Sequence, residues 1–368
     1  MQWGEGHKMS YDNDKERFQK TGSARGPIKR RSFLKGAALG TAGLMAGSSN
    51  IAWVKGRRTP CEAGQKTKHF KPDILRFHPD GKSKVVQAHH AGVWRGDPQA
   101  LNKDVLHQML DVSITELTGM KKASGAWAAL FKPSERIAIK VNTLFPRDST
   151  HASLVAEVTE SLREAGIPAE NIIIFDRSGL EEAGYPMNAK GPGVRCLYTK
   201  YTEERPLVDS RIRFSDILLE CDALINIPIL TGITFFGAGI SFALKNHFGT
   251  FDRPRDYHGE KFVGGVTELN NLPDIKDRTR LIIGDILTSK SYRSAYERYV
   301  IGGNKTLMSF DPVALDSVGA QIANDAYGAE KKENPVVIQQ ALPWLRRASE
   351  LGLGTAASEN IDLVKINL

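Results

Sequence analysis

The sequence predicts an α/β protein: a mostly parallel, multi-stranded sheet with helices on both faces, in Rossmann-like layers. Short runs of Val, Ile and Leu recur along the chain, and segments with the period of an amphipathic helix alternate with them. The runs are apolar at consecutive positions, which suits strands that are covered on both faces, as the strands of parallel sheets are. Together the two observations favour βαβ units.

The apolar runs and the periodic segments give the predicted elements in chain order. The strands are residues 85–89, 136–141, 171–175, 223–227, 281–286 and 306–310, and 361–366 could be a last one. The helices are residues 102–117, 123–131, 153–165, 238–247, 312–326 and 335–348. Gly166 and Pro168 end the third of these helices, because neither residue favours its continuation.

Residues 29–58 have the layout of an export signal. A basic stretch precedes an uncharged run at 36–54, and further basic residues close the segment. The uncharged run is rich in glycine and is about as long as the minimum that spans a bilayer, roughly 17–25 residues. Arg30 and Arg31, with the apolar residues that follow them, resemble the twin-arginine (Tat) consensus, which is an address read by a receptor.

This signal predicts a partner and a location. We expect the chain to bind the Tat translocase, to be exported, and to act in the periplasm or at the outer face of the cytoplasmic membrane. It would touch the membrane only through the signal segment, if that segment is not cleaved. The predicted organisation is a disordered extension (1–28), the signal segment (29–58), a linker (59–84) and an α/β domain (85–368).

The basic charge of the chain belongs to the export segment. The whole sequence carries a net charge of +8, and its first 60 residues contain twelve Lys or Arg and four Asp or Glu. The remaining 308 residues therefore hold 38 of each sign and are neutral. They show no basic stripe with interleaved aromatic residues, so nucleic-acid binding is not expected.

The cysteines limit the cofactors. Cys61, Cys196 and Cys221 are the three cysteines of the chain, and no two of them form a Cys-x-x-Cys motif. The chain therefore builds no iron–sulfur cluster from its own cysteines. Cys196 and Cys221 stand in apolar surroundings and are predicted to be buried thiols, and a bridge between them is left open by the exported location.

Polar residues end the predicted strands. Ligands of open α/β sheets bind beyond the carboxyl ends of the strands, so these residues would converge on one rim. They are His89 and His90, Lys140 and Asn142, Asp176 to Ser178, Asn226, Asp285 and Asp311. The structural alternative is helix capping, which is strong for Asp311 because Pro312 follows it. Lys140 lies between Ile139 and Val141 and therefore needs a partner or a function.

A second dense region spans residues 237–258. Gly237 and Gly239 are predicted to open a helix whose free N–H groups form an anion site. One interpretation is that Lys245, Arg253 and Arg255 bind an anion together with this turn.

A second interpretation of the same region is a divalent metal held by His247, His258 and Asp252. Imidazole and carboxylate ligands suit zinc, nickel, iron or manganese. A third interpretation is a solvated loop of mutually paired charges. The cofactor of the chain is therefore left unknown, with a divalent metal as the open option.

Several strings of the sequence resemble the family DUF362, a domain of unknown function. They are Ile-Lys-Val-Asn at 139–142, residues 173–178, Leu-Ile-Asn-Ile-Pro at 224–228, Ala-Leu-Lys-Asn-His-Phe-Gly at 243–249 and Asp-Pro-Val-Ala-Leu-Asp at 311–316. The resemblance covers about residues 85–330. Many relatives carry ferredoxin-type cysteine motifs, which implies redox work, but this chain lacks them. We also expect a distant similarity to the nickel-dependent lactate racemase fold.

The resemblance adds weight to the residues of these strings: Lys140, Asn142, Asp176, Asn226, Lys245, Asn246, Asp311 and Asp316. The first hypothesis is an exported enzyme that acts on a small anionic or hydroxylated substrate at the carboxyl ends of the strands. Lys140 and Lys245 would fix charge, and Asp176 or His247 would move protons. Substrate binding would fall to Asn142, Asn226, Asn246, Arg253, Arg255, Asp311 and Asp316. The alternative hypothesis is a non-catalytic, metal- or redox-associated binding or maturation protein outside the cytoplasm.

Overall fold

A ten-stranded sheet organises the described part of the chain. The structure is a computed structural model, and it describes residues 81–96, 100–234, 237–292, 298–331 and 336–368. The predicted signal segment at 29–58, the extension before it and most of the linker after it lie outside the described residues. The described residues fall within one unit, Gly64–Leu368.

Fourteen strands occur in the described residues. They are β1 (Ser83–His89), β2 (Trp94–Arg95), β3 (Ala100–Leu101), β4 (Ile137–Val141), β5 (Ile172–Asp176), β6 (Arg195–Tyr198), β7 (Tyr201–Leu207), β8 (Ser210–Ser215), β9 (Ala223–Ile227), β10 (Ile229–Ile233), β11 (Gly239–Ser241), β12 (Thr279–Tyr292), β13 (Arg298–Ser309) and β14 (Ile361–Asn367).

The main sheet has the order β14-β1-β13-β12-β9-β4-β5-β6, and β10 and β11 extend it beside β12. The neighbouring pairs β12–β9, β9–β4, β4–β5 and β5–β6 are all parallel. The predicted mostly parallel sheet is therefore confirmed. The strand β13 is the exception on this path, because it pairs antiparallel with both β12 and β1.

The helices of the described part cover both faces of the sheet. They are α1 (Lys103–Thr118), α2 (Ala123–Leu130), α3 (Ala152–Glu164), α4 (Asp216–Glu220), α5 (Ala243–Asn246), α6 (Phe262–Asn271), α7 (Pro273–Lys276), α8 (Pro312–Lys331) and α9 (Val337–Glu350). Side chains of α4 to α9 form one core layer, and those of α1, α2 and α3 form the other. We call these the first and the second layer.

The alternation of side chains along β4 shows how the sheet serves both layers. Ala138 packs in the first layer, whereas Ile137 and Ile139 pack in the second. By the same alternation, Lys140 faces the first layer. A lysine is thus placed where the pattern of a buried strand calls for an apolar residue.

The helix predicted for 238–247 is wrong in its first half. Gly239–Ser241 is the strand β11, and the helix α5 begins only at Ala243. Gly237 and Gly239 have φ angles of +71° and +77°, which no helix contains. A side chain at Gly239 would also meet the backbone of α9, because a Cβ there would lie 2.3 Å from the carbonyl oxygen of Val337.

Cys196 and Cys221 are both buried and both free. Cys196 packs in the second layer and Cys221 in the first, so no bridge joins them. Burial raises the pKa of Cys196 to about 11. Burial also raises the pKa of Cys221 to about 12, which keeps both thiols protonated and unreactive near neutral pH.

Within the described ranges, no helix combines the length and the apolar character that crossing a bilayer would need.

Candidate functional site

Lys140 forms an ion pair inside the protein. Only 1% of the residue is exposed, and its Nζ lies 2.9 Å from Oδ1 of Asp176 at the end of β5. The ammonium also donates to the carbonyl oxygen of Val141 at 2.6 Å and to Oδ1 of Asn246 at 3.2 Å. Burial lowers the pKa of Lys140, and Asp176 opposes that effect. The pair is held by hydrogen bonds in full, as a buried charge requires.

Two asparagines connect this pair to the helix α5. Asn246 donates from Nδ2 to Oδ1 of Asn226 at 2.7 Å, and Asn226 donates to the carbonyl oxygen of Ala243 at 2.8 Å. Asp316 of α8 accepts the N–H groups of Ala243 and Leu244 at 2.6 and 3.0 Å. These contacts fix α5 and the turn after it against the carboxyl ends of β4 and β9.

The turn His247–Thr250 lies directly on the ion pair. A Cβ at Gly249 would stand 2.6 Å from Oδ1 of Asp176 and 2.8 Å from Nζ of Lys140. The carbonyl oxygen of Gly249 accepts a hydrogen bond from the hydroxyl of Tyr201 at 3.2 Å. Only glycine leaves room for this approach.

His247 is a buried imidazole. It is 1% exposed, and neither ring nitrogen has a hydrogen-bond partner among the described residues. Burial, with a further contribution from Lys140, lowers the pKa of His247 to about 3. The ring is therefore neutral at physiological pH.

Lys245 and His258 stand beside the same two aromatic rings. Nζ of Lys245 lies 5.8 Å from the ring centre of Phe248 and 5.9 Å from that of Phe262. The ring of His258 is 5.4 Å from Phe248 and 6.3 Å from Phe262. No carboxylate of the described residues pairs with Lys245, and burial lowers its pKa to about 8. We call these four residues the Lys245 cluster.

The contact of His258 with Pro254 indicates the tautomer of its ring. Its Nδ1 lies 3.0 Å from the carbonyl oxygen of Pro254. Because a carbonyl oxygen only accepts, Nδ1 carries the proton and Nε2 carries the lone pair. Burial, and then the charge of Lys245, lowers the pKa of His258. The imidazole is therefore a neutral base next to an ammonium group.

The residues predicted to hold a metal make separate contacts. Asp252 pairs with Arg213 at 3.0 Å, His258 belongs to the Lys245 cluster, and His247 lies beside Lys140. In the described ranges, no group of three His, Cys, Asp or Glu side chains is placed to hold a metal ion. The arginines of the loop are exposed: Arg253 faces Asp252 and Asp256 at 3.9 Å each, and Arg255 stands in solvent.

Asp311 lies at the opposite edge of the sheet from Lys140. The expectation that it shares one rim with the other strand ends is wrong, because β13 runs antiparallel to β12 and its last residues pair with the start of that strand. The carboxylate caps α8 through the N–H groups of Val313 and Ala314, both at 2.8 Å. It also lines a cavity of about 400 Å³ at that edge.

A histidine that the sequence analysis missed lies beside the middle of β12. Asp285 accepts both the backbone N–H and the Nδ1–H of His151 at Oδ2, each at 2.8 Å. Nε2 of the same ring lies 3.1 Å from Oγ1 of Thr288. The edge of Trp94 packs against the imidazole with the ring centres 5.6 Å apart. His151 follows no predicted strand and begins no motif. Its place in a candidate site becomes visible only through the hydrogen bond to Asp285, which is distant in sequence.

The connection 142–151 spans four neighbouring strands at this edge. Thr143 donates its N–H to Oδ2 of Asp176 at 2.7 Å, and His151 reaches Asp285. Between them, Thr150 donates to the carbonyl oxygen of Ile227 at 2.8 Å. Asn142 lies at the start of the connection and is part-buried.

The family comparison matches this region. The sequence model of DUF362, a domain of unknown function, matches residues 137–321, which is half of the chain. The chain belongs to the DUF362 family. The matched span of the DUF362 domain contains the Lys140 pair, the Lys245 cluster, Asp316 and the His151–Asp285 pair, whereas β1, α9 and β14 lie outside it.

Two solved structures resemble this DUF362 protein. One is a protein from Thermotoga maritima, with 12% identity and a TM-score of 0.37 over 62% of this chain and 60% of that chain. The other is the lactate racemase apoprotein from Thermoanaerobacterium thermosaccharolyticum, with 14% identity and a TM-score of 0.37 over 67% of this chain and 59% of that chain. The chain thus spans about three fifths of the length of each, and similarity of this degree says nothing about a substrate. No curated protein matches the chain.

Proposed function

We propose that this DUF362 protein is an exported enzyme that acts on a small organic anion bound at the Lys245 cluster. Lys245 binds the ionised acidic group of the substrate. His258 accepts a proton from another position of the substrate. The rings of Phe248 and Phe262 cover the apolar body of the substrate. The main support for this proposal is the ammonium of Lys245. It is desolvated between two aromatic rings and has no carboxylate partner in the described ranges.

The physical reason is the free energy of an unpaired charge. An ammonium that is removed from water and left without an anion destabilises a protein, whereas pairing it recovers that loss. The ammonium of Lys140, in the same domain, is paired in this way, because Oδ1 of Asp176 lies 2.9 Å from its Nζ. Among the described residues, Lys245 contacts the faces of two rings, which attract a cation by about 0.5–2 kcal/mol. A ligand carboxylate or phosphate would supply the missing partner.

His258 gives the cluster a proton acceptor. Its lowered pKa keeps it neutral near pH 7, and the bond from Nδ1 to Pro254 leaves the lone pair on Nε2. A positioned imidazole of this kind typically contributes 10²–10⁴-fold to a rate. The Lys140 pair, Asn226 and Asn246 then act on the substrate indirectly, since they hold α5, which carries Lys245.

The binding step is tested by calorimetry on the full chain with benzoate, which has one carboxylate and one ring. Lys245→Met should weaken benzoate binding by roughly tenfold or more, because a hydrogen bond to a charged group contributes about 1.5–3 kcal/mol. Benzamide, which is neutral, should bind poorly. Lys200→Met removes an exposed lysine and should change nothing. Equal affinity of wild type and Lys245→Met would contradict the proposal.

The catalytic step is tested by proton exchange. Small carboxylates that bind are incubated with the protein in deuterated water, and exchange or conversion is followed by NMR. His258→Gln should retain binding and lose most of the exchange. Tight binding with no exchange or conversion of any bound anion would instead favour a carrier.

A further inference from the structure

We infer that Thr288, His151 and Asp285 form a nucleophilic triad that transfers the acyl group of a small ester to water. The three residues meet beside the middle of β12, and Asp285 lies on the same face of that strand as Ile283 and Leu287 of the second layer. Lys245 lies on α5 in the first layer. The inference therefore goes beyond the proposed function and depends on different residues.

The hydrogen bonds define the direction of proton movement. Asp285 accepts from the Nδ1–H of His151 at 2.8 Å, and its other oxygen accepts the N–H of Leu287 at 3.0 Å. A carboxylate only accepts, so Nδ1 carries the proton and Nε2 presents its lone pair. Thr288 then donates its hydroxyl hydrogen to Nε2 across 3.1 Å. Nucleophile, base and orienting carboxylate are each within hydrogen-bond reach of the next.

The three side chains are progressively more buried from Thr288 through His151 to Asp285. Thr288 is exposed, the side chain of His151 is 20% exposed, and that of Asp285 is fully buried. Asp285 also fixes the backbone N–H of His151, so both the ring and its chain segment are oriented by one carboxylate. This is the arrangement of roles by which such triads are recognised on unrelated folds.

The reaction has two steps. Oγ of Thr288 bonds to the acyl carbon of the ester while Nε2 of His151 takes the hydroxyl proton. The bond to the leaving oxygen breaks, and His151 returns the proton to it, which releases the alcohol. Water then attacks the acyl-threonine, His151 takes a proton from the water, and the proton returns to Oγ of Thr288 as the acid leaves.

The test uses p-nitrophenyl acetate with the full chain and follows p-nitrophenolate release together with the mass of the protein. We expect acetate on the peptide that contains Thr288, in an ester that hydroxylamine removes; acetyl-lysine would resist it. Thr288→Val keeps the shape without the hydroxyl and should abolish this ester and the hydrolysis it supports. Thr288→Ser should retain both. His151→Gln should slow release by roughly 100-fold or more.

The control is Thr159→Val, which removes an exposed threonine hydroxyl from α3 and should leave the rate unchanged. Hydrolysis by Thr288→Val at the wild-type rate, or acetyl ester on another residue only, would overturn the inference. The assay contains no anion ligand, so its result is independent of benzoate binding at Lys245. Either the triad or the anion site can therefore fail its own test without affecting the test of the other.

Discussion

A buried lysine and a partly buried one show what a single side chain can indicate. Lys140 has a carboxylate, a carbonyl oxygen and an amide oxygen within hydrogen-bond distance, so its charge is fully compensated by the protein. Lys245 has two aromatic rings and a neutral histidine, so its charge is not. The first lysine is a structural element, and the second is where we propose that a ligand binds.

The contact of Gly249 with the ion pair predicts the cost of adding one methyl group. Gly249→Ala should lower the free energy of unfolding by about 1–3 kcal/mol, because the new Cβ must displace Asp176 or Lys140. Urea unfolding of the full chain measures this. Gly125→Ala is the matched control: its Cβ would be 3.6 Å from Met120, and it lies inside α2, where alanine favours the helix. Equal stability of the two variants would refute the contact.

The pKa of Lys245 predicts a pH dependence of stability. Its folded value of about 8 lies below the ordinary value of a lysine, roughly 10.4. Between these two values the unfolded chain binds the proton and the folded chain does not, so this group makes the protein more stable as the pH rises from 8 to 10. The gain is about 1.4 kcal/mol per pH unit.

The comparison that isolates this effect is wild type against Lys245→Met, with unfolding followed at several pH values. The stability of the wild type should rise relative to the variant across that window. Benzoate binding should weaken over the same window, since the neutral amine no longer attracts the anion. A constant stability difference from pH 7 to 10 would show that Lys245 titrates as an exposed lysine does.

At the residue scale, the sequence identifies groups whose surroundings are local. Lys140 could be singled out because its neighbours in the strand are apolar, and Lys245 because it belongs to a recognisable string. His151 could not, because the carboxylate that orients it is 134 positions away. Its part in a site depends on which strand ends lie side by side, and a single sequence does not report that.

The helix α5 shows how one short element carries the site. Four residues form too few internal hydrogen bonds to be stable alone. Asp316 supplies acceptors for its first two N–H groups, and Asn226 accounts for the carbonyl of Ala243. The position of Lys245 therefore depends on residues from α8 and β9.

Asp316→Asn should reduce stability by about 1–3 kcal/mol, because the amide nitrogen cannot accept the second backbone hydrogen bond and leaves a buried donor unpaired. It should also weaken benzoate binding by displacing Lys245. Ser317→Ala is the neighbouring control, since that hydroxyl donates to the carbonyl oxygen of Val313 in its own helix. Unchanged affinity in Asp316→Asn would mean that α5 keeps its place without the cap.

At the element scale, the parallel strands were predictable and the hairpin was not. The apolar runs at 223–227 and 171–175 indicate buried strands, and the strands found there both pair in parallel with β4. β12 and β13 continue past their apolar cores into polar residues, where a strand loses its sequence pattern. The direction of β13 is set by this hairpin, and for that reason Asp311 was assigned to the wrong edge.

At the scale of the whole molecule, we propose that the charge distribution and the twin arginines direct export. Arg30→Lys combined with Arg31→Lys should keep the protein in the cytoplasmic fraction, because the translocase reads the arginine pair itself. Cell fractionation with detection of the folded domain measures this. Lys29→Arg retains the pair and should be exported normally. Equal amounts of the double variant and the wild type in the periplasm would contradict the proposal.

The place of β1 in the sheet sets the order of events during synthesis. β1 lies between β13 and β14. This first described strand therefore gains its two neighbours only after residues 298–309 and then residues 361–367 have been synthesised. Contacts that distant in sequence form late, after the intervening chain is made. The sheet can therefore close only after residues 361–367 have been synthesised. The proposed Tat route accepts folded proteins, which suits a domain whose first described strand gains its last neighbour so late in synthesis.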